Sequence, residues 1–288
     1  MPERRGKPYL PRKPAGPENT GADSSRKQEM SMPTIELEQV SKFYKQKRKH
    51  RNDKRYEVGV EDVSLTIRQG DFVFVIGSSG AGKSTLLSLI AGQTKPTRGR
   101  VYVGHKDLNW MMKFSRNRAS ILFGKVWQEP TLIRNRTVEE NLLLAARLAC
   151  PKDGPKQLAP KVKKVLGLVG LPGFERKYPV EMSIGEARKV ELARALIGSP
   201  PILVLDEITA NLDEDSIWDV FHLLNELNRR GTTIIMTTHA SQYVNIMCRR
   251  VITLVDGRVF GDVKKGRYGD VTEKKKMTVL TAYGTDLI

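Results

Sequence analysis

The 288-residue sequence predicts an α/β fold, a mixed sheet core flanked by an antiparallel β region and a helical subdomain, on three observations. Phe72-Val73-Phe74-Val75-Ile76 is an unbroken apolar strand, followed by a glycine-rich turn and a helix-periodic stretch from Lys83 to Ala91. Continuous apolar strands are those covered on both faces, as in parallel sheets. From residue 202 strands and helices alternate: Ile202 to Leu205, helix Ser216 to Arg229, strand Thr232 to Met236, then a helix and the strand Val251 to Val255. That alternation marks βαβ units. Before residue 72 the pattern has period two, with Ile35, Leu37 and Val40 resumed by Val63, Leu65 and Ile67. Strands with one buried face read this way, and the basic run Lys45 to Arg55 between them reads as a long hairpin insertion.

The middle of the chain adds a strand over Ile121 to Trp127, a helix over Thr137 to Cys150, a second from about Leu158 to Gly167, and a third from Glu186 to Ile197 that leads through Pro200-Pro201 into the strand at 202. No internal repeat is visible. Residues 34–263 form one expected domain. Residues 1–33 hold six of the 15 prolines and few large apolar residues, so they read as a disordered basic arm, and 264–288 as a basic tail.

Hydrophobic residues at 39% and charged residues at 28% fit a globular protein and exclude a wholly disordered one. Two cysteines exclude a disulfide scaffold; Cys150 and Cys248 sit in apolar or helical stretches and are expected as buried thiols in a reducing cytosol. The longest apolar run, Leu142 to Cys150, contains Arg147 and is far shorter than the roughly 20 residues of a membrane span. No apolar segment follows the charged N-terminus, which argues against a secretory signal. The net charge of +17 is unevenly spread. Residues 1–33 carry seven Lys/Arg against four acids, 45–55 seven against one, and 264–276 six against two, leaving the body near neutral. Solvated surface or an anionic lipid face explains such segments, and their confinement argues against a nucleic-acid role.

Gly77-Ser78-Ser79-Gly80-Ala81-Gly82-Lys83-Ser84 is a P-loop match with the strand before and helix after that the motif requires. Glycines let backbone N–H groups and the helix N-terminus wrap a phosphate; Lys83 then reaches the β- and γ-phosphates and the Ser84 hydroxyl enters a Mg²⁺ shell. The strand Ile202 to Leu205 delivers Asp206-Glu207 to the carboxyl edge of the sheet, where α/β ligands bind. One acid can hold Mg²⁺ through water and the other can polarise the water attacking a γ-phosphate.

Together these residues resemble the ATP-binding-cassette (ABC) ATPases across roughly residues 34–263. Val126-Trp127-Gln128 resembles the Q-loop, Met182-Ser183-Ile184-Gly185-Glu186 the signature loop, Ala210-Asn211-Leu212-Asp213 the D-loop, and Thr238-His239 the switch histidine. The resemblance implies ATP and Mg²⁺ as cofactors and a head-to-tail homodimer trapping two ATPs, each between one subunit's P-loop, Gly77 to Thr85, and the other's Ser183, Gly185 and Glu186. It further implies Glu207, His239 and Gln128 as catalytic residues, Asp213 as a D-loop contact, and Ser84, Gln128 and Asp206 around the metal. Tyr44 matches the aromatic that stacks on adenine, with Phe43 and Tyr56 as alternatives. Arg136-Thr137-Val138-Glu139-Glu140-Asn141, Arg229-Arg230-Gly231-Thr232-Thr233 and Gly266-Arg267-Tyr268-Gly269 resemble the FtsE-type cell-division branch. That branch works at the cytoplasmic membrane face with an integral membrane partner of FtsX type, docked on the Q-loop and the helices at 128–180, and regulates cell-wall hydrolysis. Lipoprotein-release and macrolide-type exporter ATPases share the same core. Ile184 stands where the family has glycine, and Ile208 and Ala210 replace a usual Pro and Gly. A β-branched residue cannot take a positive φ cheaply, so a nucleotide-gated scaffold with little hydrolysis is the competing expectation. Ser183-x-x-Glu186 has capping-box spacing, with which a helical φ at Ile184 is compatible.

Overall fold

The computed structural model describes residues 34–45, 56–115 and 119–270. The arm 1–33, the insertion beyond Lys45 and the tail from residue 271 lie outside the described residues. Strand β1 (Ile35–Lys45) pairs antiparallel with β2 (Tyr56–Ile67) and with β4 (Arg98–Val103), and β5 (Lys106–Asp107) completes a four-stranded antiparallel sheet in the order β2-β1-β4-β5. The second sheet has six strands in the order β10-β9-β3-β8-β7-β6. Here β3 (Phe72–Ile76), β6 (Phe123–Val126), β7 (Ile202–Asp206), β8 (Thr233–Thr237) and β9 (Arg250–Val255) run parallel, while β10 (Arg258–Val263) closes one edge antiparallel. The mixed core and the antiparallel region are thus those the sequence predicts.

Period-two alternation in the central strand divides the core into two. Val73 and Val75 face helix α1 (Lys83–Ile90), whose Leu86, Leu87, Leu89 and Ile90 fill the space beneath the antiparallel sheet. Phe72, Phe74 and Ile76 face the opposite side, packed on α3 (Val138–Ala149), α4 (Pro155–Leu168), α5 (Ile184–Leu196), α6 (Glu214–Arg229) and α7 (Ser241–Met247). Phe221 stacks on Tyr243 with ring centroids 4.9 Å apart. At about 1.5–3 kcal/mol per fully buried large side chain, these layers fix the sheet whose carboxyl edge carries the motifs.

Three regions differ from expectation. Residues 92–120, silent in the sequence, hold β4, β5 and α2 (Leu108–Phe114). Arg98 and Arg100 are exposed there and mask the strand pattern; Gly99 lies so close to β1 that a Cβ would sit 2.3 Å from the Glu38 carbonyl oxygen. The expected strand 121–127 contracts to Phe123–Val126, where Gly124 admits α5: a Cβ would sit 2.6 Å from the Ala195 carbonyl oxygen. The first residues of the expected tail pack on the fold, Gly266 N donating to Arg249 O at 3.0 Å, Tyr268 N to Asn245 Oδ1 at 2.7 Å, and Thr253 Oγ1 to Asp270 O at 3.0 Å. The expectation of two buried thiols is corrected. Cys150 is half-buried and Cys248 exposed, because Cys248 caps α7 in a left-handed conformation (φ 45°). Among the described residues no helix is long and apolar enough to cross a membrane.

Candidate nucleotide and catalytic site

The turn from β3 to α1 is built on glycines for two different reasons. Gly77 and Gly82 combine φ of +151° and +96° with close backbone neighbours: a Cβ would lie 2.4 Å from Leu254 O and 2.1 Å from Gly59 O respectively. Gly80 has φ +79° but open space around it, so only its backbone conformation demands glycine. Lys83 opens α1 behind the left-handed cap Gly82 and is buried. Its ammonium donates to Gly77 O at 2.9 Å and Ser78 O at 3.1 Å, folded over the loop it would share with an anion. Ser84 is exposed on the first turn. Gly59 clears a path for Tyr44, whose hydroxyl lies 3.5 Å from Thr85 Oγ1; a Cβ at Gly59 would strike the Tyr44 ring at 2.7 Å. Tyr44 pairs with Glu57 and Tyr56 with Lys45, so the two tyrosines point to opposite faces of the hairpin. Of the three aromatic candidates, Tyr44 is the one that meets the P-loop helix.

Two strands away, β7 ends in Asp206 and Glu207. The buried Asp206 carboxylate accepts from Thr237 Oγ1 at 2.5 Å, while that same hydroxyl accepts from Glu207 N at 2.9 Å. Thr237, the last residue of β8, therefore ties both acids to the neighbouring strand. Glu207 adopts φ +47°, a left-handed conformation costing about 1–2 kcal/mol in a non-glycine residue. The turn aims its carboxylate back across the sheet edge: Glu207 Oε1 lies 3.9 Å from Lys83 Nζ and 3.0 Å from His239 Nε2. Ile208, in the place of a usual proline, fills the core beneath, and a further left-handed residue, Asn211 (φ +62°), completes the turn. Gln128 follows β6, which pairs with β7, so it leaves the same carboxyl edge as Asp206.

Ser183, Gly185 and Glu186 stand apart from this group. Ser183 N-caps α5, its hydroxyl accepting from Glu186 N at 3.2 Å and its own N–H donating to Glu186 Oε2 at 2.8 Å. Ile184 is the first helical residue and is 62% exposed; with an ordinary negative φ it carries no strain. The capping-box expectation holds, and the backbone at Ile184 is the ordinary helical one that this spacing allows. Gly185 faces the start of α6 and the loop before it, a Cβ there making ordinary 3.6 Å contacts with Leu212 and Ser216. Asp213 N-caps α6: Ser216 N and Ser216 Oγ both donate to it at 2.8 Å, which holds its pKa below the usual carboxylate value.

This geometry coincides with a family match, as residues 60–210 fit the model of the ABC transporter family. The chain belongs to the ABC transporter ATPases. It is 38% identical over 219 residues to the cell division ATP-binding protein FtsE of Bacillus subtilis, covering 75% of this chain and 95% of that one. It is 37% identical over 227 residues to the methionine import ATP-binding protein MetN of Geobacillus kaustophilus, covering 78% of this chain and 64% of MetN. A dimeric ATP-binding cassette in a post-hydrolysis state, bound to ADP and Pi, superposes with a TM-score of 0.70 at 29% identity over 81% of this ATPase and 99% of that chain. Two threonines at this edge, Thr237 and Thr209, have no role in the sequence analysis, and Thr238 enters it only as the residue before His239. Besides Thr237, Thr209 and Thr238 share a hydroxyl contact at 3.0 Å beneath the Glu207 turn. The signal for Thr237 and Thr238 is a polar pair ending the otherwise apolar run Ile234-Ile235-Met236; Thr209 carries none.

Proposed function

We propose that the chain is the ATP-hydrolysing subunit of an FtsE-type membrane complex, closing as a head-to-tail homodimer around two Mg-ATP. The observation that carries this reading is the convergence of Lys83, Glu207 and His239 on one point of the sheet edge, with Ser183 on a separate, outward-facing helix start. The N–H groups of Gly77 to Ser84 cradle the phosphates and Tyr44 covers the adenine. Lys83 leaves the carbonyls of Gly77 and Ser78 for the β- and γ-phosphates. Ser84, Asp206 and Gln128 offer only oxygen donors beside those phosphates, a set that suits Mg²⁺, which keeps several water and phosphate ligands. Glu207 accepts a proton from the attacking water, and His239 orients Glu207 and the γ-phosphate. The partner copy supplies Ser183, Gly185 and Glu186, with Asp213 beside them. Loss of the γ-phosphate removes the contacts between subunits and reopens the dimer.

The test is the oligomeric state of Glu207→Gln, which removes the base but keeps the fold. A dimer that forms with Mg-ATP and dissociates without it is expected. A monomer that still binds ATP sinks the closed-clamp mechanism for the isolated chain.

The stroke passes to an FtsX-type partner at the cytoplasmic face of the membrane. An open groove of about 590 Å³, lined by Ile121, Lys125, Thr131, Ile133, Leu148 and Arg194, supports that docking. It draws on residues before 128 and after 180 as well as on α3. Leu148→Glu in this groove is expected to leave ATP binding intact and abolish co-purification with the partner. Nearly equal identity to MetN favours a second reading, an importer subunit. Co-expression with each type of membrane subunit separates the two, since only the true partner co-purifies.

A further inference from the structure

Helix α5 begins at the signature serine and buries a charged pair in its second turn. Arg188 and Glu191 are 8% and 2% exposed and lie 2.7 Å apart, three residues along the same helix. Their remaining polar capacity is spent on one loop, Trp127 to Thr131. Arg188 Nη1 donates to Trp127 O at 2.7 Å and Nη2 to Gln128 O. Glu191 Oε1 accepts from Thr131 N at 2.5 Å and from Thr131 Oγ1 at 3.1 Å. One turn on, Arg194 Nη1 donates to Thr131 O at 2.8 Å.

Burying two charges costs several kcal/mol per ion before attraction offsets it, and an apolar pair of similar volume packs at least as stably. The pair is therefore poor value as mere packing. What it does uniquely is fork across consecutive carbonyls, which only the planar guanidinium of arginine can do. With the carbonyls of residues 127 and 128 both held, the peptide planes flanking Gln128 have fixed orientations, and so does the direction in which its side chain leaves.

We propose that Arg188 and Glu191 are positioning residues that lock the Gln128 loop to the signature helix, so that Gln128 and Ser183 move as one rigid unit. Thr131 and Arg194 also line the groove, so a partner pressing there acts on the same lock. The inference rests on the proposed role of Gln128 at the metal and γ-phosphate.

The test uses the full chain carrying Arg188→Leu with Glu191→Leu, because a single replacement strands a buried charge. If this double variant does not fold, Arg188→Lys replaces it: charge is kept and the fork removed. Steady-state ATPase is measured against Mg²⁺ with and without Gln128→Ala. Expected are a KM for ATP within about twofold of wild type, a kcat at least about tenfold lower and a raised Mg²⁺ half-saturation. In the Gln128→Ala background the lock variant should cause no further fall. Wild-type kcat and Mg²⁺ dependence, or an equal fall in both backgrounds, overturns the proposal, since general loosening acts independently of Gln128. If Gln128→Ala alone changes nothing, the role of Gln128 fails, and the lock is judged by amide exchange over residues 127–131. Fast exchange in the lock variant supports it; wild-type protection overturns it.

Discussion

The Lys83–Glu207–His239 edge and the Ser183–Asp213 region meet opposite fates in one chain. At the first, polar groups aim at one another and the backbone is forced: Glu207, Gly77 and Gly82 all hold left-handed conformations, and the Lys83 ammonium rests on loop carbonyls. At the second, each polar side chain closes on its own helix start, Ser183 on Glu186 and Asp213 on Ser216, with no positive φ from residue 183 to 186. The glycines take these conformations freely, whereas Glu207 stores about 1–2 kcal/mol of strain that persists only where surrounding structure over-determines it. The first region is thus a site preorganised by its own chain. The second is a relaxed surface that presents a helix N-terminus outward, and under the proposed function it acts only when the phosphate of the other copy is brought to it.

Matched glycine substitutions test that contrast most severely. Gly82→Ala adds a Cβ 2.1 Å from a backbone oxygen at φ +96°, so we expect loss of nucleotide binding and at least about 3 kcal/mol of stability. Gly185→Ala meets only 3.6 Å contacts in a helical residue, and should raise stability by about 0.5–1 kcal/mol while impairing ATP-induced dimerisation. Urea unfolding and nucleotide titration of the two variants decide the matter. Equal destabilisation would erase the distinction between a strained and a relaxed region.

Within the preorganised edge, Thr237→Val removes one hydroxyl that serves both acids. Asp206 loses its 2.5 Å donor and Glu207 N its 2.9 Å acceptor, leaving that N–H the longer 3.3 Å bond to Thr237 O. A loss of about 1–3 kcal/mol follows from the stranded buried groups, with kcat falling more than ATP affinity. Calorimetric unfolding with phosphate-release kinetics checks both parts; an unaltered kcat would mean that Thr237 only stabilises.

Much of the edge was legible because its chemistry demands residue types that local sequence displays. Glycines before Lys83 and an apolar strand ending in Asp206-Glu207 declare themselves without tertiary information. Thr237 did not, because a threonine ending a strand is ordinary until the neighbouring strand places Asp206 beside it. The same limit hid the Arg188–Glu191 pair: on a helix they read as an i,i+3 surface pair, and only the packing of residues 127–131 over α5 buries them. Residues 92–120 failed for a different reason, since β4 is half exposed and its arginines break the alternation that would have marked it. Capping-box spacing, a local rule that survives tertiary context, allows the helical φ that Ile184 adopts.

In the relaxed region, Ser183→Ala should cost about 1 kcal/mol by removing the N-cap. Ser183→Asp keeps the cap and places a negative charge where the γ-phosphate of the other copy would bind. It should therefore unfold like wild type yet fail to dimerise with ATP in the Glu207→Gln background. A dimer formed by Ser183→Asp would show that the cap, and not the phosphate contact, accounts for this serine.

The smallest expected effect concerns the charge on Asp213. Hydrogen bonds from Ser216 depress its folded pKa, with the nearby Lys189 a lesser cause. A depressed carboxylate stabilises the fold fully above its unfolded pKa, near 3.9, and loses that contribution as pH falls through the lower folded value. Asp213→Asn retains a capping oxygen but not the charge that complements the helix N-terminus. The urea midpoint of the variant should lie slightly below wild type at pH 7, and the two should converge as the solution is acidified below pH about 4. An offset independent of pH would mean that the hydrogen bonds alone hold the start of α6. Its carboxylate would then be free to serve the opposing subunit, and the contrast between the two regions would narrow at this residue.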